Sequence, residues 1–158
     1  MSHPTTLDRT GIAARIPHAG SMCLLDRLLR WDATRIECRA SSHRDVANPL
    51  RGEDGLPAVC AIEYAAQAMA LHGGLVAPPG SAPRPGYIAS VRQVKSRIDR
   101  LDAIDGELVV VAERLAGDAS QVLYAFEVGS QDGGVLVSGR AAVVLDTPLA
   151  TGSGEPAR

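Results

Sequence analysis

Apolar residues dominate one segment near the middle of the chain and alternate with polar residues in several others. The segment from Leu56 to Leu71 is almost wholly apolar and consists mainly of residues that favour helix. Pro57 suits a first helical turn, and the glycines at 73–74, with prolines at 78–79, are typical of a helix end. Because a helix that is apolar all round is usually buried, the pattern predicts one core helix here.

Period-two alternation predicts strands on both sides of this helix. Residues 35–40 alternate before it, and four longer β-rich runs follow it. Those runs are Tyr87 to Lys95, Glu107 to Leu115, Gln121 to Val128 and Val135 to Leu145. Turn signals at 105–106, 117–118 and 131–134 separate the runs and predict an antiparallel meander. In the third run, the even-numbered positions from 122 to 128 are apolar and are expected to face the core.

The remaining stretches predict connections. Residues 22–30 are compatible with a strand or a short helix-like segment, and Ser41 to Asp54 is predicted to be a long loop leading into the helix. Residues 78–86 are too rich in proline for helix or ladder. We expect one domain over residues 1–146 and a disordered tail over 147–158, which is rich in glycine, proline and serine.

These elements predict an α+β fold in which a curved antiparallel β-sheet wraps around one long buried central helix. Such a sheet leaves an edge strand unpaired, and pairing two edges across a twofold axis is one way to cover it. A homodimer is therefore the default expectation.

Composition narrows the function classes. The formal net charge of −2 and the pI near 6.1 give no electrostatic reason to expect nucleic acid, and 3% aromatic residues make base-stacking platforms improbable. Three cysteines without C-x-x-C spacing suggest neither a zinc site nor disulfides. The amino terminus lacks a signal-peptide pattern, and the apolar run is short and contains Glu63, so we expect a cytoplasmic protein outside the membrane. No cofactor or metal is implied.

Glu63 and Gln67 are the polar exceptions within the apolar run. Being four residues apart, they share one helix face with Ala66, Ala70 and Gly74. We expect a desolvated acid at one end of a narrow groove floored by small residues.

Three segments resemble the 3-hydroxyacyl-acyl-carrier-protein dehydratases of hotdog fold, the FabA/FabZ group, and especially the divergent ApeP-like proteins of aryl polyene synthesis. The first, residues 16–28, is similar to the opening P-H-x-x-P-F-L-L-x-D-R-V of that family. Residues 56–67 are similar to its M-P-G-V-L-x-x-E-A-M-A-Q helix, and residues 86–97 to its Y-F-A-S-I-x-x-x-K-F-R strand. The resemblance covers about residues 16 to 145 and implies a hotdog fold and acid/base chemistry on acyl thioesters.

The resemblance implies Glu63 as a catalytic acid and the backbone N–H of Ala58, at the helix start, as a donor to the substrate carbonyl. It also implies Pro57 and Gln67 as substrate contacts, with Gln67 orienting the acid. One departure is prominent. The family's catalytic His lies fourteen residues before the Glu, and here that position is Pro49. His18 is the candidate replacement, with a structural role in its loop as the alternative, and His43 is a second possible base.

Arg92, Lys95 and Arg97 form a basic stretch, interpreted either as a docking surface for an acidic acyl carrier protein or as a solvated strand edge. The substrate would be carried on the phosphopantetheine arm of that protein. The sequence leaves three functions open: a dehydratase, a catalytically incomplete subunit that forms a heterodimer with a His-containing paralogue, and a hotdog acyl thioesterase in which Glu63 activates water.

Overall fold

A seven-stranded antiparallel sheet wraps around one helix in the computed structural model of the chain, which describes residues 3–18, 20–81 and 86–145. Two α-helices are described, α1 (Arg9–Ala13) and α2 (Ala61–Val76). The strands are β1 (Leu7–Asp8), β2 (Arg27–Trp31), β3 (Arg35–Ala40), β4 (Gly86–Ser96), β5 (Leu108–Gly117), β6 (Gln121–Ser130) and β7 (Val135–Leu145). This confirms the predicted α+β hotdog architecture.

The strand order is β1-β2-β3-β5-β6-β7-β4. Only β5, β6 and β7 form the predicted meander, because β4 pairs with β7 and β5 pairs with β3. The predicted meander is thus wrong for β4. Helix α2 connects β3 to β4 and contacts β3, β5 and β6. The strand that follows it, β4, lies at the edge of the sheet opposite β1.

The core is built from α2 and the inward faces of β3, β5, β6 and β7, whereas β4 contains no buried residue. In β6, the predicted alternation is confirmed, because the side chains at 122, 124, 126 and 128 are buried. Nine residues of α2 are buried, which is the reason that this helix is apolar on most sides: Ala61, Tyr64, Ala65, Gln67, Ala68, Met69, Leu71, His72 and Leu75.

The helix differs from its predicted bounds at both ends. A short 3₁₀ turn, Ala58–Cys60, precedes α2, and Pro57 lies just before that turn. At the other end, α2 continues through both glycines at 73–74 to Val76. Because neither glycine has a positive φ, these residues do not form a left-handed cap, and the expected end at this pair is wrong.

By length and composition, the segment Ala58–Val76 is long and apolar enough to cross a membrane. Half of that segment is buried within the fold, and the core helix of a soluble protein meets the same criterion. The apolar character of α2 is therefore accounted for by its burial against the sheet.

Several predictions concern the connections. Residues 20–22 form a 3₁₀ turn before β2, and 42–44 form another within the predicted long loop. Within the predicted proline-rich stretch, residues 78–81 lie in neither helix nor strand, as expected, whereas Gly86 already belongs to β4. Residues 82–85 and the predicted tail, 147–158, lie outside the described residues. The amino-terminal His3 bonds to the Ala77 carbonyl at 2.8 Å and packs edge-on against Trp31.

The fold buries two histidines, His43 and His72. His72 lies between the Tyr124 hydroxyl and the Asp32 carbonyl, each at 2.8 Å, and His43 contacts the Ile104 carbonyl at 2.9 Å. Both side chains are 0% exposed. In both, burial disfavours the imidazolium and lowers the pKa from its ordinary value.

Stability is expected to fall as the pH drops below about 6.5, since the unfolded chain then binds protons that the buried His43 and His72 do not. The free energy of unfolding should decline by up to about 1.4 kcal/mol per pH unit for each histidine until its lower native pKa is reached. Urea unfolding between pH 5.5 and 7.5 measures this slope.

The variants His72→Gln and His43→Gln retain hydrogen-bonding capacity without titrating in this range, so each is expected to flatten the slope. Equal slopes in the wild type and the double variant would contradict the assignment.

Candidate active site

His18 and Glu63 meet within one chain. The Nε2 atom of His18 lies 3.1 Å from Oε2 of Glu63. Their side chains are 24% and 36% exposed, respectively. Glu63 is therefore not the fully desolvated acid expected from the apolar pattern, because it lies on the part of α2 that the sheet leaves uncovered. An imidazole and a carboxyl group at this distance can pass a proton between them.

The orientation of the His18 ring determines which nitrogen contacts the acid. Nε2 contacts Glu63, whereas Nδ1 is buried without a hydrogen-bond partner among the described residues. Proton exchange with Glu63 is therefore confined to Nε2.

Two backbone features position Glu63. It lies in the first turn of α2, where the positive end of the helix dipole favours a carboxylate. Its neighbours Ala61 and Tyr64 are fully buried and fix the helix against the sheet. The acid is consequently held on a rigid element while its oxygens stay accessible.

The segment that carries His18 is fixed to α2 by Gln67. We call residues 14–18 and 20–26 the His18 loop. Gln67 Oε1 accepts a hydrogen bond from the Leu24 N–H at 2.8 Å, and its Nε2 donates to the Met22 carbonyl at 2.7 Å. Gln67 is 0% exposed. Both ends of its amide are thus occupied by the His18 loop, although the sequence suggested that it would orient Glu63.

A second polar connection reaches the same loop from Tyr64. The Tyr64 hydroxyl lies 2.8 Å from Oγ of Ser42, which donates to the Leu24 carbonyl at 2.8 Å. Asn48 donates to the same tyrosine oxygen at 3.1 Å. Burial raises the pKa of Tyr64, so the phenol stays neutral in this network. Sequence reasoning missed this connection, because no local motif links these residues.

The start of the helix region is held by the segment just before β5. The Ala58 N–H donates to the Asp99 carbonyl at 2.9 Å, so this predicted substrate contact is occupied. The next N–H, at Val59, has no hydrogen-bond acceptor among the described residues. Val59 therefore carries the N–H available to a substrate oxygen near this end of the helix.

Asp102 anchors Leu56, two residues before this turn. Its carboxylate accepts from the Leu56 N–H at 2.8 Å and from Nη2 of Arg100 at 2.7 Å. The Arg100 guanidinium and the Leu56 N–H hold the pKa of Asp102 well below its usual range. The backbone that leads into α2 is thus fixed by a charge-assisted contact.

Pro57 is exposed and borders a surface depression of about 330 Å³. The depression is also lined by Gly52, Glu53, Asp54, Gly55, Asp99 and Arg100. His18 and Glu63 do not line it. Pro57 therefore borders a depression that is separate from the His18–Glu63 pair.

The predicted row of small residues lies on the open part of α2. Ala66 and Ala70 are partly exposed, and Gly73 and Gly74 are exposed. A Cβ atom built on either glycine would have no neighbour within 4 Å. This part of the helix surface is uncovered in the single chain, and it begins beside Glu63.

Nucleophilic and metal-assisted chemistry have little support at the site. Burial and the neighbouring Glu63 carboxylate raise the pKa of the Cys60 thiol, which disfavours the reactive thiolate. Among the described residues, no group of three or more His, Cys, Asp or Glu side chains could hold a metal ion. His43, the second possible base, is buried against Ile104 as described above.

An irregularity in β4 aligns the predicted basic residues. Arg92 pairs with Arg140 of β7, and Lys95 pairs with Ser138, so three steps along β4 match two along β7. Gln93, within this bulge, has a φ of 56°. The extra residue places Arg92 and Lys95 on the same face, which they would not share in a regular strand.

The same face continues beyond the strand. The Arg97 N–H donates to the Leu136 carbonyl at 2.8 Å, so Arg97 lies beside β7. Because Val137 points into the core, alternation along the paired strands places Arg97 on the outer face. Arg92, Lys95, Arg97 and Arg140 are all exposed, and none forms an ion pair within 4 Å with a described carboxylate. We call these four residues the basic face. Sequence reasoning missed Arg140, because only the strand pairing brings it there.

Structural comparison finds similar folds among dehydratases and thioesterases. The dehydratase heterocomplex ApeI:P from Xenorhabdus doucetiae contains a chain with 25% identity and a TM-score of 0.77, over 87% of this chain and 91% of that one. A thioesterase from Haemophilus influenzae has 9% identity and a TM-score of 0.67, over 93% and 96% of the two chains. A mutant thioesterase from Staphylococcus aureus has 11% identity and a TM-score of 0.58, over 76% and 92%.

Sequence comparison is more specific about the family. No curated protein matches the chain in sequence. The sequence model of the ApeP-like family, described as ApeP dehydratase, matches residues 10–151, which include both His18 and Glu63. Since this match spans most of the sequence, the chain belongs to the ApeP-like dehydratase family.

Proposed function

We propose that the protein dehydrates 3-hydroxyacyl thioesters carried by an acyl carrier protein, in a fatty-acid-like or aryl polyene pathway. The observation that carries this proposal is the 3.1 Å contact between His18 and Glu63 in a chain of the ApeP-like family. The contact supplies a base and an acid although the usual family histidine position is Pro49. His18 replaces that histidine.

The proposed elimination uses one proton shared by the pair. The elimination proceeds from the form of the pair in which this proton lies on Glu63 and Nε2 of His18 is free to accept one. His18 removes the α-proton of the substrate, and the C–O bond to the 3-hydroxyl breaks as Glu63 donates its proton to the departing oxygen. The products are an enoyl thioester and water. His18 then returns its proton to Glu63 across the 3.1 Å contact and restores the starting state.

Negative charge on the thioester oxygen needs a donor. The Val59 N–H is the proposed donor, because it lies in the turn before α2 and its hydrogen is not used by the described residues. The positive end of the helix dipole adds to this stabilisation. The acyl chain would follow the uncovered row of small residues that begins beside Glu63.

The partner is proposed to be a dehydratase paralogue. The structural relative at 25% identity comes from a heterocomplex of dehydratase subunits, ApeI:P. In this chain, β4 is an edge strand of eleven residues, whereas the opposite edge, β1, has two. Because a long unpaired edge exposes backbone groups, β4 is the strand that would pair with the second subunit.

Two alternative functions differ from the proposed dehydratase. An incomplete subunit would need a histidine from its paralogue, whereas this chain brings its own His18 to Glu63. An acyl thioesterase is favoured by the fold of the thioesterase neighbours, and Glu63 would then activate water. The products separate these functions, since dehydration yields an enoyl thioester that absorbs in the ultraviolet and hydrolysis releases a free thiol.

Loss of either member of the pair is expected to reduce dehydration strongly. Glu63→Gln and His18→Ala should each lower kcat by roughly 10²- to 10⁴-fold, because each removes one proton-transfer group. The assay follows the enoyl absorbance with a 3-hydroxyacyl substrate on an acyl carrier protein, for the chain alone and with its dehydratase paralogue.

Matched controls are Glu113→Gln on the outer surface of β5 and His3→Ala at the amino terminus, which are expected to keep the wild-type rate. If His18→Ala retained full activity in the complex, the base would come from the paralogue and the incomplete-subunit alternative would hold. Release of free thiol without enoyl formation would instead establish the thioesterase.

The basic face is proposed to bind the acidic carrier protein. Replacing Arg92, Lys95 and Arg97 together by Glu should raise KM by roughly tenfold at low ionic strength and leave kcat unchanged, because the charges act on encounter with the carrier. The difference should shrink above about 0.5 M salt, where charges are screened.

The matched control is Arg35→Glu, an exposed residue near the other edge of the sheet. Equal KM effects from this control, or no salt dependence, would assign the carrier-protein surface elsewhere. Adding Arg140→Glu should increase the KM effect further, since the bulge at Gln93 places this residue on the same face.

A further inference from the structure

The end of the His18 loop is held by contacts outside α2, because the Leu24 carbonyl accepts from Oγ of Ser42 at 2.8 Å and the Asp26 N–H donates to the Arg39 carbonyl at 2.8 Å. The part nearer His18 has more local bonds. Arg9 donates to the Gly20 carbonyl at 2.8 Å, and the Cys23 N–H donates to the same carbonyl at 3.1 Å. These bonds lie within the amino-terminal segment and do not connect it to α2. Since Glu63 is on α2, the position of His18 relative to Glu63 requires bonds between the loop and this helix.

Gln67 supplies such bonds at the required place. It lies four residues after Glu63, which is about one helical turn along the same face. Its two hydrogen bonds hold Met22 and Leu24, which follow His18 by four and six residues in the chain. The amide is fully buried, so water does not replace these bonds when they are lost.

The chemistry of the amide is specific to this arrangement. The loop presents one N–H and one carbonyl, and glutamine offers one acceptor and two donors. An ionised carboxylate could accept from Leu24 but would repel the Met22 carbonyl, whereas a protonated carboxyl group could make both bonds. Methionine has a similar shape and could make neither bond well. The site therefore requires a side chain that offers both a donor and an acceptor.

From these contacts we infer that Gln67 is a positioning residue that sets the distance between His18 and Glu63 by clamping the His18 loop to α2. This inference rests on the proposed function for its kinetic consequence, but the clamp itself is a property of the fold. Gln67 contacts neither member of the pair in this role. It acts through the backbone at Met22 and Leu24.

The kinetic test compares Gln67→Met with the wild type, each in complex with the dehydratase paralogue. The variant should lower kcat by roughly 10- to 100-fold with little change in KM, because a displaced proton-transfer group impairs chemistry more than binding. In a His18→Ala background, Gln67→Met should cause no further loss, since its effect acts through His18.

Tyr124→Phe is the matched control. It also removes a buried hydrogen bond to α2, the one to His72, but it does not touch the His18 loop. We expect it to lower stability to a similar degree and to leave kcat within twofold of the wild type. If Tyr124→Phe slowed turnover as much as Gln67→Met, a general loss of stability would explain both and the inference would fail.

A second measurement does not depend on activity. Carbethoxylation of His18 by diethyl pyrocarbonate, followed by peptide mass spectrometry, should be several times faster in Gln67→Met than in the wild type, because the loosened loop separates the imidazole from Glu63. Tyr124→Phe should leave this rate unchanged. Equal His18 reactivity in the wild type and Gln67→Met would overturn the clamp even if the protein proved to be a thioesterase or an inactive subunit.

Discussion

The packing of α2 inside the curved sheet is the constraint on which the rest of this structure depends. The helix has nine buried side chains and contacts β3, β5 and β6, so its rotation about its axis is fixed. That rotation leaves Glu63, Ala66 and Ala70 on the uncovered part of the helix. A carboxyl group can remain partly hydrated there although it lies within an almost wholly apolar segment, which avoids the large free-energy cost of burying an isolated charge.

The polar groups that are fully buried on the same helix connect it to surrounding loops. Gln67 holds the loop that carries His18, and Tyr64 reaches the same loop through Ser42. His72 holds the turn before β3 through the Asp32 carbonyl. Each of these groups is hydrogen-bonded, as buried polar side chains must be to avoid a desolvation cost. The core helix is thus both the apolar centre of the fold and the support for its irregular segments.

The surface charges are arranged by the sheet in a similar way. Arg92 and Lys95 would point to opposite faces of a regular strand, and the bulge at Gln93 brings them to one face with Arg140. No described carboxylate pairs with them, which leaves their charge available to an acidic partner. The same strand ends the sheet, so the basic face lies next to the edge at which a second subunit would pair.

Local sequence patterns determined the strands and the central helix. The alternation of apolar and polar residues predicted β3. The even-numbered side chains of β6 are buried, as their apolar pattern indicated. The motif resemblance identified the family, because it depends on short runs such as residues 56–67 that can be recognised without coordinates. These features are encoded by neighbours in the chain, and hydrophobic periodicity is sufficient to reveal them.

The tertiary structure decided the features that depend on distant pairs. Sequence patterns did not predict that β4 lies beside β7, that α2 continues through its two glycines, or that the amide of Gln67 bonds to Met22 and Leu24. The contact between His18 and Glu63 joins residues forty-five positions apart, and the exposure of Glu63 depends on which part of the helix the sheet covers. Such contacts follow from how the sheet curves around the helix, and no local pattern records that geometry.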